Sequence, residues 1–319
     1  MRKIYSPSDP LALGFEIGGT KIQVGIGSAE GKLLLRGKVR KQVVRENGAD
    51  GIRRDIIAMT EELLEAEQLG LSKINKIGIG FGGILDTNQG IILKSYQIDG
   101  WNNFPLKEWA EKQWGKPVFI QNDASTAGLA ESLHGNGRGY TRVFYITLGS
   151  GVGGGWIING KIDDGQGFGT AEIGHTWVPD PESGTPTELE QICSGWPIGR
   201  RARLAASNKN TLMQQIAGSL DGIDAKVVYL AAEKGDKIAN RILSETCQTL
   251  GMAISNVVAL LHPERVILGG GVSLMGSLFW NTLKNEVRLR TIPSFVSQVD
   301  VVKAKLKEDV VIIGALCLE

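Results

Sequence analysis

The chain has 319 residues, 42% of them hydrophobic, with 35 Lys plus Arg against 34 Asp plus Glu. That length supports a large core and two lobes, and the balanced charge argues against a nucleic-acid partner or an anionic membrane surface. Cys193, Cys247 and Cys317 show no CxxC spacing, MRKIYSPSDP lacks the apolar stretch of a signal peptide, and no apolar run reaches transmembrane length, so a disulfide framework, a cysteine zinc site and a membrane span are disfavoured and a cytoplasmic protein is expected.

Leu11–Gly27 (LALGFEIGGTKIQVGIG) reads as a strand, a turn at Gly18-Gly19-Thr20-Lys21, and a second strand, with Lys32–Lys41 adding a third. The turn is not a Walker A loop, which needs GxxxxGK[ST] opening onto a helix. Asp50–Gln68 carries Ile52, Ile56, Ile57, Met59, Leu63 and Leu64 at helical period. Ile74–Phe81 is an apolar strand ending in Gly82-Gly83, and Leu106–Trp114 is a helix closed by Gly115 and Pro117. Val118–Ile120 is a buried strand and Ala124–Leu133 a helix.

Phe144–His175 follows, and it is the most informative segment. Its glycines fit GxGxxG at Gly149, Gly151 and Gly154, but they lead into Trp156, Ile157 and Ile158, then Asn159-Gly160, a hairpin signature. A Rossmann site would need a helix there. The arrangement is strand, glycine turn, strand, the same device as at Gly18. Such turns let backbone N–H groups approach a phosphate with no side chain in the way; they also occur as ordinary tight hairpins. Pro179–Thr187 reads as a loop. Helical stretches cover Ile198–Ala206, Ala225–Glu233 and Lys237–Leu261, Arg265–Leu268 is a strand before Gly269-Gly270-Gly271, a helix is predicted from near Ser273, and Val310–Leu318 is a closing helix. The order is that of an α/β protein with two related lobes.

Three constellations stand out. Asp123 ends a strand and opens a helix, where an α/β protein binds ligands; it suits a general base for a hydroxyl, and equally the N-cap of Ala124–Leu133. His175 stands three residues after Glu172 in a glycine-rich turn, which suits hydrogen bonds to a polyol, or a structural histidine. Gly269-Gly270-Gly271 permits close approach of a planar ligand such as adenine, or is a plain β–α turn.

Together these residues resemble the ROK family (repressors, open reading frames, kinases) of the actin-like, hexokinase-type ATPase superfamily. GFEIGGTK resembles its first phosphate motif, ITLGSGVGGG the second, QNDASTAGLAE the strand–base–helix segment, AEIGH and LEQICSG the sugar-contact segments, and VILGGGV the adenosine motif. The motifs fall in the family's order along nearly the whole chain. The resemblance implies a two-lobed actin-like (ribonuclease H-like) α/β fold with a cleft, 1–122 plus about 304–319 forming the small lobe and 123–303 the large one. It also implies ATP- and Mg²⁺-dependent phosphorylation of a hexose, usually at the 6-hydroxyl as in a glucokinase, by a homodimer. A fructokinase, an N-acetylmannosamine kinase and a non-catalytic sugar-sensing regulator are the alternatives within the family. A ROK repressor would carry a DNA-binding segment of several dozen residues before the first phosphate motif.

By the same resemblance Asp123 is the base. Asn122, Glu172, His175, Glu190 and the backbone of Gly82-Gly83 contact the sugar. Gly18, Gly19, Thr20, Lys21, Thr147, Gly149, Ser150 and Gly151 hold phosphates, and Gly269, Gly270 and Gly271 the adenosine. Three departures from the family pattern matter. Glu16 stands where most members have Asp, and Ser125 where Asn is common. Pro179–Glu190 also lacks the cysteines that bind zinc with the histidine. No structural zinc is expected, His175 is then free of metal, and packing alone must hold the loop.

Overall fold

The strands at 11–17 and 21–28 are buried almost throughout, the edge strand at 37–42 is largely exposed, and helices such as that at 48–66 bury one face, as the apolar period read above requires. The computed structural model describes residues 10–28, 36–95, 97–207 and 209–319. The strands are β1 (Leu11–Ile17), β2 (Lys21–Ser28), β3 (Gly37–Gln42), β4 (Ile74–Phe81), β5 (Ile84–Asp86), β6 (Ile91–Lys94), β7 (Val118–Asn122), β8 (Arg142–Leu148), β9 (Val152–Ile158), β10 (Lys161–Ile162), β11 (Trp177–Pro179), β12 (Pro186–Glu188), β13 (Arg265–Gly269) and β14 (Asp300–Lys303). The helices are α1 (Gly48–Ala66), α2 (Leu106–Trp114), α3 (Asp123–His134), α4 (Glu190–Cys193), α5 (Gly195–Ala206), α6 (Leu212–Ala217), α7 (Ala225–Glu233), α8 (Lys237–Leu261), α9 (Ser277–Arg290) and α10 (Val310–Cys317). The first nine residues, and the start of the strand expected over Lys32–Lys41, lie outside the described residues.

By contact the chain forms two compact units, one of 1–139, 155–170 and 305–319, the other of 140–154 and 171–304. Asp123 and α3 therefore belong to the first unit, whereas the sequence reading began the second lobe at residue 123. The first unit is built on a sheet of order β3-β2-β1-β4-β7. β1 pairs antiparallel with β2 and parallel with β4, and β4 pairs parallel with β7. β1 is buried at every position. One face of the sheet takes α10, whose backbone comes so close that a Cβ on Gly78 would fall 1.8 Å from the Ala315 carbonyl oxygen. Only glycine tolerates that approach. Phe15, Phe81, Trp101 and Trp114 belong to this unit's apolar core.

A second sheet has the order β10-β9-β8-β13-β14, with β13 parallel to both β8 and β14. Asn159 and Gly160, at φ 54° and 72°, make the left-handed two-residue turn expected of this pair. In the second unit the long helix α8 starts at an Asp236 cap, whose carboxylate accepts the N–H groups of Ile238 and Ala239 at 2.9 and 3.0 Å.

Two expectations fail. The helix predicted from near Ser273 is a single 3₁₀ turn, Val272–Leu274, and α9 starts only at Ser277, because Met275 and Gly276 are extended. Pro179–Thr187 is not simply a loop: its two ends pair as β11 and β12. The Asp180 carboxylate accepts the N–H groups of Glu182 and Ser183 at 3.0 and 2.8 Å. A backbone ladder and an Asx turn, rather than packing alone, hold this segment.

Candidate functional site

In the first unit the register of the parallel strands lines up three candidate residues. Ile17 pairs with Phe81 and Phe81 with Asn122. Gly18, Gly82 and Asp123, the next residue on each strand, therefore stand in a row at the strands' C-terminal ends, where α/β sheets bind ligands. The Gly82 N–H donates to the Ile17 carbonyl at 2.9 Å. A Cβ on Gly82 would lie 3.2 Å from Asp123 Oδ2 and 3.7 Å from the Gly18 Cα.

Asn122, not Asp123, is the N-cap of α3: its Oδ1 accepts the N–H groups of Ala124 and Ser125 at 2.8 and 3.2 Å. Its Nδ2 donates to the Gly83 carbonyl at 3.3 Å. The N-cap alternative for Asp123 is thereby set aside, although Asp123 Oδ1 also accepts the Ala124 N–H at 2.8 Å.

The Gly18–Lys21 turn closes through Gly18 N–H to the Lys21 carbonyl at 3.1 Å, and the Thr20 carbonyl accepts the Val43 N–H at 3.0 Å. Glu16, behind the turn, meets Lys21 Nζ at 3.1 Å and Gln23 Nε2 at 2.5 Å. Burial pushes its carboxyl above the usual range, against the pull of the Lys21 charge. Gln97 carries no sequence signal, yet its side chain covers Gly19, where a Cβ would fall 1.9 Å from its Oε1. Only the fold brings that residue to the turn, and no local pattern marks it.

The second unit repeats the strand-end design. Thr147 of β8 pairs with Gly269 of β13, so Gly149–Gly151 and Gly270-Gly271 leave adjacent strand ends. Gly149 N–H donates to the Gly151 carbonyl at 2.9 Å, and the Gly149 carbonyl accepts the Gly195 N–H at 2.8 Å. Gly270 has φ 79°, and a Cβ there would meet the Leu148 backbone at 2.5 Å. Gly271 faces open space.

Glu190 lies against this turn: its Oε2 accepts the Val152 N–H at 2.8 Å, and a Cβ on Gly151 would come within 2.4 Å of it. Burial raises the Glu172 pKa; the nearby His175 opposes the shift and Glu190 adds to it. His175 Nδ1 stands 3.3 Å from Glu188 Oε1, a partner not foreseen from sequence. Glu172, His175 and Glu190 thus form one electrostatic cluster beside the second glycine turn.

Among the described residues no group of three or more His, Cys, Asp or Glu side chains is placed to hold a metal ion. The Cys193 thiol is buried and pushed up to about 12 by desolvation. Among the described residues no helix is long and apolar enough to cross a membrane.

Known proteins share this design over the full length. The chain is 34% identical over 308 residues to the glucokinase of Thermotoga maritima, covering 95% of each chain. It is 32% identical over 314 residues to the glucokinase of Streptomyces coelicolor, covering 96% of each. The crystal structure of a ROK family glucokinase from Streptomyces griseus, in complex with glucose and AMPPNP, superposes with a TM-score of 0.80 at 31% identity, over 96% of this chain and 98% of that one. Fold and relatives together define the class as a sugar kinase with the actin-like α/β fold. Residues 12–319 match the ROK family, and the chain belongs to it.

Proposed function

We propose that this sugar kinase transfers the γ-phosphoryl group of ATP to the 6-hydroxyl of a hexose, glucose first among the candidates, with Asp123 as general base. The observation that carries the reading is the row Gly18, Gly82, Asp123 at three strand ends, which sets a carboxylate beside a glycine turn and leaves the cap to Asn122. A base there accepts the proton of the attacking hydroxyl, a contribution of about 10²–10⁴-fold.

The two turns, Gly18–Lys21 and Thr147–Gly151, offer backbone N–H groups to phosphate oxygens, and Lys21, tethered by Glu16, adds positive charge. Mg²⁺ arriving with the nucleotide would supply further charge neutralisation. Glu172, His175 and Glu190, with the Asn122 side chain and the Gly82-Gly83 backbone, would take the sugar hydroxyls. Gly269–Gly271 would admit the adenosine. Glucose and AMPPNP bound to the Streptomyces griseus relative support both substrates.

The test is ADP release with glucose, fructose, mannose and N-acetylmannosamine, each with ATP and with polyphosphate as donor, and NMR of the product to locate the phosphate. Glucose 6-phosphate as the preferred product is expected. A preference for fructose or N-acetylmannosamine would move the enzyme to a sister specificity, and no turnover with any sugar would make it a sensor.

A further inference from the structure

Glu131 is fully buried and is the last residue of the QNDASTAGLAE segment, in which only Asn122 and Asp123 were given a role. It sits near the C-terminal end of α3, eight residues after Asp123 and about 12 Å along the axis at 1.5 Å per residue. Its two carboxyl oxygens are shared between distant parts of the chain. Oε1 accepts the N–H groups of Lys305 and Leu306, both at 2.7 Å. Oε2 accepts the N–H of Asn136 at 2.9 Å. Its backbone carbonyl takes Gly135 N–H at 3.0 Å and Gly137 N–H at 2.9 Å. A Cβ on Gly135 would fall 2.0 Å from Oε2, so the loop after α3 is moulded on this carboxyl.

The partners are telling. The chain first leaves the first unit after Gly139 and finally returns to it at Lys305. Asn136 lies just before the departure, and Lys305-Leu306 begin the return. A buried acidic side chain is costly unless its acceptors are filled, and here the filling groups are backbone donors from the first and last crossings. An apolar residue would satisfy packing on α3 but would tie neither crossing, and only a carboxylate offers an acceptor to both.

We propose that Glu131 is a positioning residue that clasps these two crossings to the far end of the helix carrying Asp123. The place of α3, and with it of Asp123, is then set by the segments at which the chain leaves and re-enters the first unit. The inference rests on the kinase reading for its kinetic consequence, but not for the clasp itself.

The experiment uses Glu131→Gln in the full chain. An amide keeps one acceptor oxygen and turns a donor towards the N–H on the other side. Amide exchange at Asn136, Lys305 and Leu306 is expected to quicken by about ten-fold or more. The kcat should fall by about ten-fold, while the dissociation constants of glucose and of AMPPNP, measured by calorimetry, move less than about two-fold. Unchanged exchange at all three amides overturns the clasp. Quickened exchange with kcat intact, or with kcat and both affinities lost together, overturns the positioning role. If the parent enzyme phosphorylates no hexose, the kinase reading fails, and exchange still decides the clasp. Should Glu131→Gln not fold, Gly135→Ala, which displaces the carboxyl without removing it, carries the same expectations.

Discussion

The Asn122 side chain accepts the Ser125 backbone N–H at 3.2 Å and the Ala124 N–H at 2.8 Å, and so fills the cap of α3 that Asp123 was equally suited to fill. With the cap filled by Asn122, the cap and the proposed base Asp123 can be mutated apart. Asn122→Ala should lower stability by about 1 kcal/mol. Asp123→Asn should leave the melting temperature nearly unchanged and lower kcat by about two orders of magnitude or more. Thermal melts and coupled ADP release check both. An Asp123→Asn enzyme with near-parental turnover refutes the base.

Glu172 and Glu190 differ in what else they hold. Glu172→Ala should raise the sugar KM about ten-fold, the consequence of leaving a polar partner unpaired at about 1–3 kcal/mol, with the ATP KM little changed. Glu190 also anchors the Val152 N–H beside the second glycine turn. Glu190→Ala should therefore raise both KM values. Steady-state kinetics with each substrate varied in turn distinguishes the two patterns, and loss of ATP affinity alone in Glu172→Ala contradicts its placement.

Glu16 gives a pH signature. Burial first, opposed by the Lys21 charge, raises its folded pKa above the unfolded value. A raised carboxyl pKa contributes stability that is complete below the unfolded value and lost as pH rises through the folded one. Relative to Glu16→Gln, the parent should lose ground as pH rises through and above the ordinary glutamate range. Urea midpoints of the two proteins across that interval check the slope, and a constant difference overturns it.

Protein purified without added zinc should contain well under one equivalent. Chelator should leave its melting temperature unchanged, since the β11–β12 ladder and the Asp180 turn hold the segment between His175 and Glu190. A stoichiometric zinc in elemental analysis contradicts this.

Elements with strong local signals were legible in the sequence. The bounds of α7 and α8 follow from apolar period and flanking Asp, and the Asn159-Gly160 turn from its dipeptide. The second glycine turn was legible because it opens onto β-branched and aromatic residues instead of a helix. Long-range geometry was not legible. Nothing local tells whether Asn122 or Asp123 caps α3, since both are preferred caps and the choice depends on backbone angles set by β7. Gln97 reaches Gly19, Glu188 reaches His175 and Glu131 reaches Lys305 only through the tertiary fold. The β11–β12 pairing was hidden because Pro179 and Pro186 end its strands, and proline argues against a strand.

Helix α10 covers the sheet that begins with β1, at Gly14 and Gly78. During synthesis those strands leave the ribosome long before their cover exists. The apolar face of β1 and β4 stays uncovered until Val310–Cys317 is made. Each arrested or prematurely terminated translation product is then born with an uncovered sheet. Loss of Val310–Cys317 would therefore expose the apolar face of β1 and β4.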